Sequence, residues 1–469
     1  MEKLFEIEAI QPRTADKAVS NGTSAQLAIA GSVIIWLVLL AMAPTLLRYV
    51  FVGTSFLCAV YLFSTNACQY VSFIWWLYFL TPLFRRLVDY RAGFDPTSLM
   101  LAAPLFATSV CCFEFTRLRA LDARSTPFVL LAMGAGYGFI VSAVAGNPMA
   151  VCIQYFLTWI SPAAFGYFLY LHWAEYPDFR ANVQKTFSYG LFVMGVYGII
   201  QYFYAPVWDV LWMENLSEKI TSFGTPVPMG IRVFSTMNAP QVFGLTIVAG
   251  LLFTLHGPRS LIQKLGWVAG YVGLLLSMAR SAWLEWGVAL LALAVLTRSR
   301  KALTTILAAV LVMGGVTIIL TRSAMGENLV KRFETFNNLN DDGSGQERLT
   351  EYEQVLGASL MAPFGEGWQL ESLDNGEISL HDSTAFELLM CTGWFGLATF
   401  YVGVISALFM ILTRVSSSQE RFFYIIAAIL IGLLVETVFN SLMGGAIELG
   451  LMTLMGIGLS ESQVKEALP

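Results

Sequence analysis

The chain has 469 residues, of which 57% are hydrophobic and only 13% charged, and its formal net charge is −5. Its mean hydropathy is +0.66. A soluble domain carries about 25% charged residues, so this composition excludes an ordinary soluble enzyme and a disordered chain. The slight acidic excess also leaves no cationic field to hold a nucleic acid.

The length instead accommodates one bundle of membrane helices, each needing about 20 apolar residues. Residues 1–25 are polar and of mixed charge. They read as a cytoplasmic tail rather than a signal peptide, because the apolar run that follows is too long and lacks a small-residue cleavage site. Leu27–Leu47 is free of charge, and so is Tyr49–Phe84, which fits two tight spans divided near Asn66. Further spans are expected at Thr97–Phe113, Pro127–Ala145, Met149–Leu171, Thr186–Ala205, Asn238–Leu255, Leu265–Met278, Ala282–Leu296 and Ala302–Leu320. Ala385–Leu412, Phe422–Leu442 and Ile447–Leu459 complete the series. The fold class expected is all-α: a polytopic bundle of about 11–14 spans, the shorter runs being tilted or re-entrant. The expected organisation is a bundle over 26–320 with an outer segment near 204–235. A large outer loop over 321–383, terminal spans over 384–459 and a cytoplasmic tail over 460–469 follow.

Lysine and arginine set the orientation. Arg298, Arg300 and Lys301 belong in the cytoplasm, which places both termini there and puts 204–235 and 322–382 outside. Arg48, Arg85, Arg86, Arg91, Arg232, Arg280 and Arg322 then fall on the disfavoured outer side. Guanidinium groups held there against the rule would suit phosphate, which they bind in a bidentate fork. The plain alternative for Arg85, Arg86 and Arg91 is one miscounted span. The loop 322–382 carries 12 acidic and four basic residues; a polar loop this long in a compact protein is usually functional.

Three constellations sit where polar loop meets apolar run. Arg232 leads through Ser235, Thr236 and Asn238 to Pro240. Arg280 occupies the turn Ser277-Met278-Ala279-Arg280-Ser281-Ala282, with Glu285 as a candidate partner, since a buried arginine is costly unless paired. His381-Asp382-Ser383 closes the large loop, with Glu387 one turn further on. A neutral imidazole there could take a proton from a hydroxyl, with Asp382 or Glu387 orienting it. A helix cap at Asp382 or Ser383 is the simpler explanation. Within the loop, Arg348 opens a helix-like stretch that stops at Pro363-Phe364-Gly365-Glu366-Gly367-Trp368. Glu436 and Asn440 are polar positions inside a span, and Gly266-x-x-x-Gly270 reads as helix packing. The six cysteines form no C-x-x-C, so neither a disulfide framework nor a thiolate metal site is expected. No nucleotide-binding or zinc-protease motif is present.

Taken in order, Arg232 to Pro240, Ser277 to Ala282, Arg348 to Gly367, and His381 to Ser383 with Thr392-Gly393-Trp394-Phe395-Gly396 resemble the motifs of the O-antigen ligase and polymerase superfamily of bacterial membrane glycosyltransferases. The resemblance covers roughly residues 190–415 and departs at Phe364, where an aliphatic residue is usual. It implies transfer of a glycan from undecaprenyl pyrophosphate to a glycan acceptor on the periplasmic face of the inner membrane, with no cofactor and no essential metal. It implies Arg232 and Arg280 for the diphosphate, His381 as base, and Arg348, Asp382, Glu387 and Arg322 around the substrates. Other polysaccharide-assembly proteins are the partners expected. The arginine-rich stretch Trp76–Arg86 looks like exopolysaccharide variants and favours a polymerase over a ligase. A flippase would instead show inverted repeats and midplane charges.

Overall fold

The computed structural model describes residues 15–117, 122–216, 223–255, 260–298, 362–368, 383–415 and 421–467, with single positions at 304, 311, 356, 357 and 360. The described residues form an all-α bundle without strands; one isolated antiparallel bridge joins Gly224 and Ile231. In a bilayer every backbone group must be satisfied within the segment, which leaves the helix as the local answer to each apolar run. The expected span Ala302–Leu320, most of the loop 321–383, and the ends of the chain lie outside the described residues.

Helices α1 (Ala15–Met42), α2 (Pro44–Thr65) and α3 (Ala67–Ala92) form an up-down-up hairpin pair. The split expected near Asn66 falls there: its side chain accepts from Gln69 N at 3.0 Å and caps α3. A short crossing follows, with the 3₁₀ turn Leu99–Ala102, α4 (Ala103–Ser109) and a second 3₁₀ stretch Val110–Arg117. Next come α5 (Thr126–Val144), α6 (Met149–Leu171) and α7 (Tyr176–Tyr204), which bends by 75° into α8 (Val207–Glu214). The series continues with α9 (Pro240–Phe253), α10 (Leu261–Leu276), α11 (Arg280–Thr297), α12 (Thr384–Val415), α13 (Arg421–Phe439) and α14 (Gly445–Ala467). Eight helices are long and apolar enough to span a membrane, and α7 with α8 makes a ninth candidate. The Leu99–Phe115 segment, α9, α10 and the first part of α14 are shorter apolar helices.

Small residues set the closest contacts. At Gly195 of α7 an added Cβ would lie 2.7 Å from the Ala269 carbonyl carbon, and at Gly266 of α10 it would lie 3.1 Å from Phe192 N. The α7–α10 pair therefore packs backbone on backbone, as small-residue interfaces do in membranes. The two ends of the bundle are chemically distinct. At one end, called the far end here, Tyr170 Oη donates to Asp122 Oδ2 at 2.6 Å, and Ser125 N donates to Oδ1 at 2.7 Å. Burial pushes the Asp122 carboxyl up, but the hydrogen bonds from Tyr170 and Ser125 outweigh it and hold the group below its usual range. The other end gathers Arg48, Arg86, Arg232, Arg280 and the start of α12, and is the site end.

Candidate functional site

The arginine cluster on α2 and α3 is partly balanced from within. Arg48 and Arg85 both pair with Asp89, at 3.1 and 3.2 Å, and Arg91 donates to Ala41 O at 3.0 Å. Arg86 is fully buried and pairs with the equally buried Asp209 of α8 at 3.2 Å, a contact of charge without hydrogen-bond alignment. Its guanidinium lies 4.7 Å from the Phe234 ring centroid and 5.7 Å from that of Trp212. Arg48, Arg85 and Arg86, expected on the outer side for phosphate, are met by protein groups here: two aspartates from the same end balance two of their three positive charges. A miscounted span is not the explanation either. Arg86 meets Asp209 and the carbonyl of Ser235, both in the segment leading to Arg232.

Asp209 is the centre of a buried polar network. It accepts from Gln201 Nε2 at 2.8 Å and from Tyr197 Oη at 2.9 Å. Gln201 Oε1 in turn accepts from Phe234 N at 3.0 Å and Ser235 N at 2.7 Å. Ser235 has a left-handed backbone (φ 53°), which a non-glycine residue adopts only when its surroundings hold it there. Here its Oγ donates to Met194 O at 2.6 Å and its carbonyl accepts from Arg86 at 2.5 Å. Sequence reading missed Arg86, Asp209, Gln201 and Tyr197 as a unit. The available signal was a glutamine and an aspartate set among apolar residues at the end of α7 and in α8.

This network fixes the strand-like approach to Arg232. Arg232 N donates to Phe223 O at 2.8 Å, and Val233 N donates to Leu276 O at 3.0 Å. The Arg232 guanidinium donates to Met278 O at 3.1 Å, two residues before Arg280. The Arg280 turn is itself strained: Met278 has φ 51°, and Ser277 Oγ accepts from Ala279 N at 3.3 Å. Arg280 is the first residue of α11, so its charge adds to the positive end of that helix dipole. Both arginines are half-buried. The structure thus brings together the two arginine segments that the sequence keeps 48 positions apart. Glu285, the suggested partner of Arg280, is fully buried, and neither of its carboxylate oxygens has a hydrogen-bond partner. Five residues on a helix turn the side chain about 140° away, and Glu285 faces Glu436 of α13 instead.

Ser383 and Thr384 follow directly on the His381-Asp382 motif and are anchored to α13. Thr384 N and Oγ1 donate to Asn440 O at 3.1 and 2.9 Å, and Leu442 N donates to Thr384 Oγ1 at 2.8 Å. Asn440 Nδ2 donates to Glu436 Oε2 at 2.5 Å. Glu387 is buried and accepts from the Ser441 hydroxyl. His381, Asp382, Arg348 and Arg322 lie outside the described residues.

The Pro-x-Gly-x-Gly stretch packs against α12 rather than standing open to a ligand. α12 breaks at Gly393 (φ 61°, ψ −163°), and the freed groups pair with 362–368. Glu366 N donates to Met390 O at 2.8 Å, Gly367 N to Cys391 O at 3.0 Å, and Trp394 N to Pro363 O at 3.1 Å. A Cβ at Gly393 would fall 2.3 Å from Pro363 O. Trp368 anchors the segment, stacked on Tyr155 at 5.5 Å and edge-on to Trp159 at 5.2 Å. Phe364, where an aliphatic residue was expected, is 74% exposed. Among the described residues no three His, Cys, Asp or Glu side chains converge as a metal site, and all six cysteines are free thiols.

These features define a multi-pass membrane protein with its buried charge network and two arginine-bearing turns gathered at one end. Residues 265–401, 137 of the 469, match the family model described as O-antigen ligase, and this match supports the resemblance to the O-antigen ligase and polymerase superfamily. The matched region contains α10 from Leu265, α11, the 362–368 segment and α12 as far as Tyr401, so it holds Arg280 and Gly393 while Arg232 lies before it. No curated protein matches the chain.

Proposed function

We propose that the protein is a membrane glycosyltransferase of the O-antigen polymerase and ligase type. On this reading it moves a glycan from an undecaprenyl-pyrophosphate carrier to a glycan acceptor on the periplasmic face of the bacterial inner membrane, and the acceptor is a second lipid-linked glycan. The observation that carries the reading is the junction of Arg232, the Met278 carbonyl and Arg280 at the start of α11. Two guanidinium groups and a helix N-terminus offer preorganised positive charge where a diphosphate departs.

The acceptor hydroxyl oxygen forms the new bond to the anomeric carbon. The bond from that carbon to the diphosphate oxygen breaks, and the carrier leaves as a lipid diphosphate held by Arg232 and Arg280. His381 takes the hydroxyl proton, with Asp382 orienting it, while Arg348 and Arg322 contact the substrates. Glu387 supports the start of α12 through Ser441.

The test is turnover by the purified full chain in detergent with a lipid-pyrophosphate-linked oligosaccharide, beside Arg280→Ala and His381→Ala. A longer lipid-linked glycan with released carrier diphosphate, lost in both variants, is the expected result. Release that needs a second, different acceptor makes the protein a ligase. No release with any acceptor, from three folded proteins, overturns the reading in favour of a lipid-linked glycan transporter.

A further inference from the structure

A cavity of about 500 Å³ lies between α1, α3 and α7, closed on one side by Phe51 of α2. Its lining is graded along its length. The deep part is apolar and aromatic, with Val33 and Trp36 from α1 and Phe73, Leu80 and Phe84 from α3. Toward the site end it is closed by a plug in which Trp36 lies 4.5 Å from Phe51 and 6.0 Å from Phe84, centroid to centroid. The cavity therefore stops short of Arg85 and Arg86. Toward the far end the lining turns polar, with Gln26, Gln69, Asn182 and Lys185. Asn182 is already engaged, accepting from Ser72 Oγ at 2.8 Å and donating to Cys68 O. Lys185 is exposed at this polar mouth and forms no ion pair with a described residue. Asp178 lies two helical turns nearer the start of α7, and its charge, with that of Glu175, acts on Cys68.

An apolar cavity of this size is not a stable home for water, which needs several polar partners. The lining of α3 from Gln69 to Phe84 is about 22 Å long at 1.5 Å per residue, a length and width suited to an extended hydrocarbon chain. The single cation sits where the head of such a molecule would emerge. Cationic pockets between membrane helices bind anionic lipid head groups.

We propose that this cavity is a binding site for an anionic phospholipid, with one acyl chain between α1, α3 and α7 and its phosphate at Lys185. It is separate from the arginine site and does not depend on the glycosyltransferase reading. The test uses the full chain purified in mild detergent, incubated with phosphatidylglycerol or phosphatidylcholine and read by native mass spectrometry. Wild type should retain phosphatidylglycerol in preference to phosphatidylcholine. Lys185→Gln, an exposed change, should fold normally and lose about five-fold of that preference. Ala30→Trp, which fills the cavity from α1, should lose retention of both lipids while eluting as a single species. Equal retention of both lipids by wild type, or unchanged retention by Ala30→Trp, overturns the proposal. A lipid-free dimer of wild type would do the same, by giving the groove to a second copy of the chain.

Discussion

Two groups of arginine share the site end and are held in opposite ways. Arg86 is fully buried, pinned by Asp209 and capped by two aromatic rings. Arg232 and Arg280 are half-buried and placed by backbone, one through the Met278 carbonyl and the other as the first residue of α11. The first group has its counter-charge built into the fold; the second presents charge at a helix start. The charge rule alone treats all of them as equivalent; the structure separates them by burial, Arg86 being enclosed against Asp209 while Arg232 and Arg280 are half-buried at a helix start.

Substitutions should separate the two groups sharply. Arg86→Ala leaves Asp209 buried without its cation and should cost about 3–5 kcal/mol. The measured sign is a collapse of the monodisperse peak and of thermal stability in detergent; a fully stable Arg86→Ala protein would remove the structural assignment. Arg280→Ala should instead leave thermal stability near wild type and reduce glycan transfer by about 10²–10³-fold. Arg280→Lys should fall almost as far if the guanidinium binds in a fork, and near-normal transfer by the lysine variant would argue for a simple point charge. Gln201→Leu removes the acceptor of two buried backbone N–H groups, Phe234 and Ser235, at about 1–3 kcal/mol. It should also lower transfer, because the approach to Arg232 loses its anchor. Transfer that stays intact as the melting temperature drops would disconnect the network from the site.

The smallest effect is at the far end. The Asp122 carboxyl is held low in the folded protein, so its contribution is present above the ordinary carboxylate pKa of 3.8. It is lost as pH falls below that, through the depressed folded value. Asp122→Asn should lose this slight stabilisation at neutral pH and flatten the fall in the acidic window, so that the two proteins converge as pH drops. A difference between the two proteins that appears only above neutrality would contradict the assignment.

The spans were legible because an apolar run of about 20 residues has one stable backbone solution in lipid. Met149–Leu171 falls at the expected residues, and the break at Asn66 could be read from one polar residue in a long uncharged run. The kink at Gly393 was hidden inside the long, mostly apolar run Ala385–Leu412, because the groups that satisfy the break come from Pro363–Gly367, outside that run. The Arg86–Asp209 pair was hidden for a similar reason: 123 positions separate its members, and no local period links them. Arg232 and Arg280 were visible because each stands alone at the edge of an apolar run. Their union through Met278 O was not, since a backbone carbonyl has no sequence signature. The glutamate offered to Arg280 failed on helical spacing, which was already readable.

The helices that carry the two arginine turns are short. α9, α10 and α11 have 14, 16 and 18 residues, or about 21, 24 and 27 Å at 1.5 Å per residue. A typical hydrocarbon core is about 30 Å thick. α9 is enclosed by the bundle, and where α10 and α11 meet lipid we expect the bilayer to thin or the flanking side chains to stretch toward the interface. On that expectation the head-group region dips around the Arg232–Arg280 junction. Thicker bilayers should oppose that dip and slow whatever enters from the membrane. The spacing of the two arginines would stay the same, because one backbone junction moves them together.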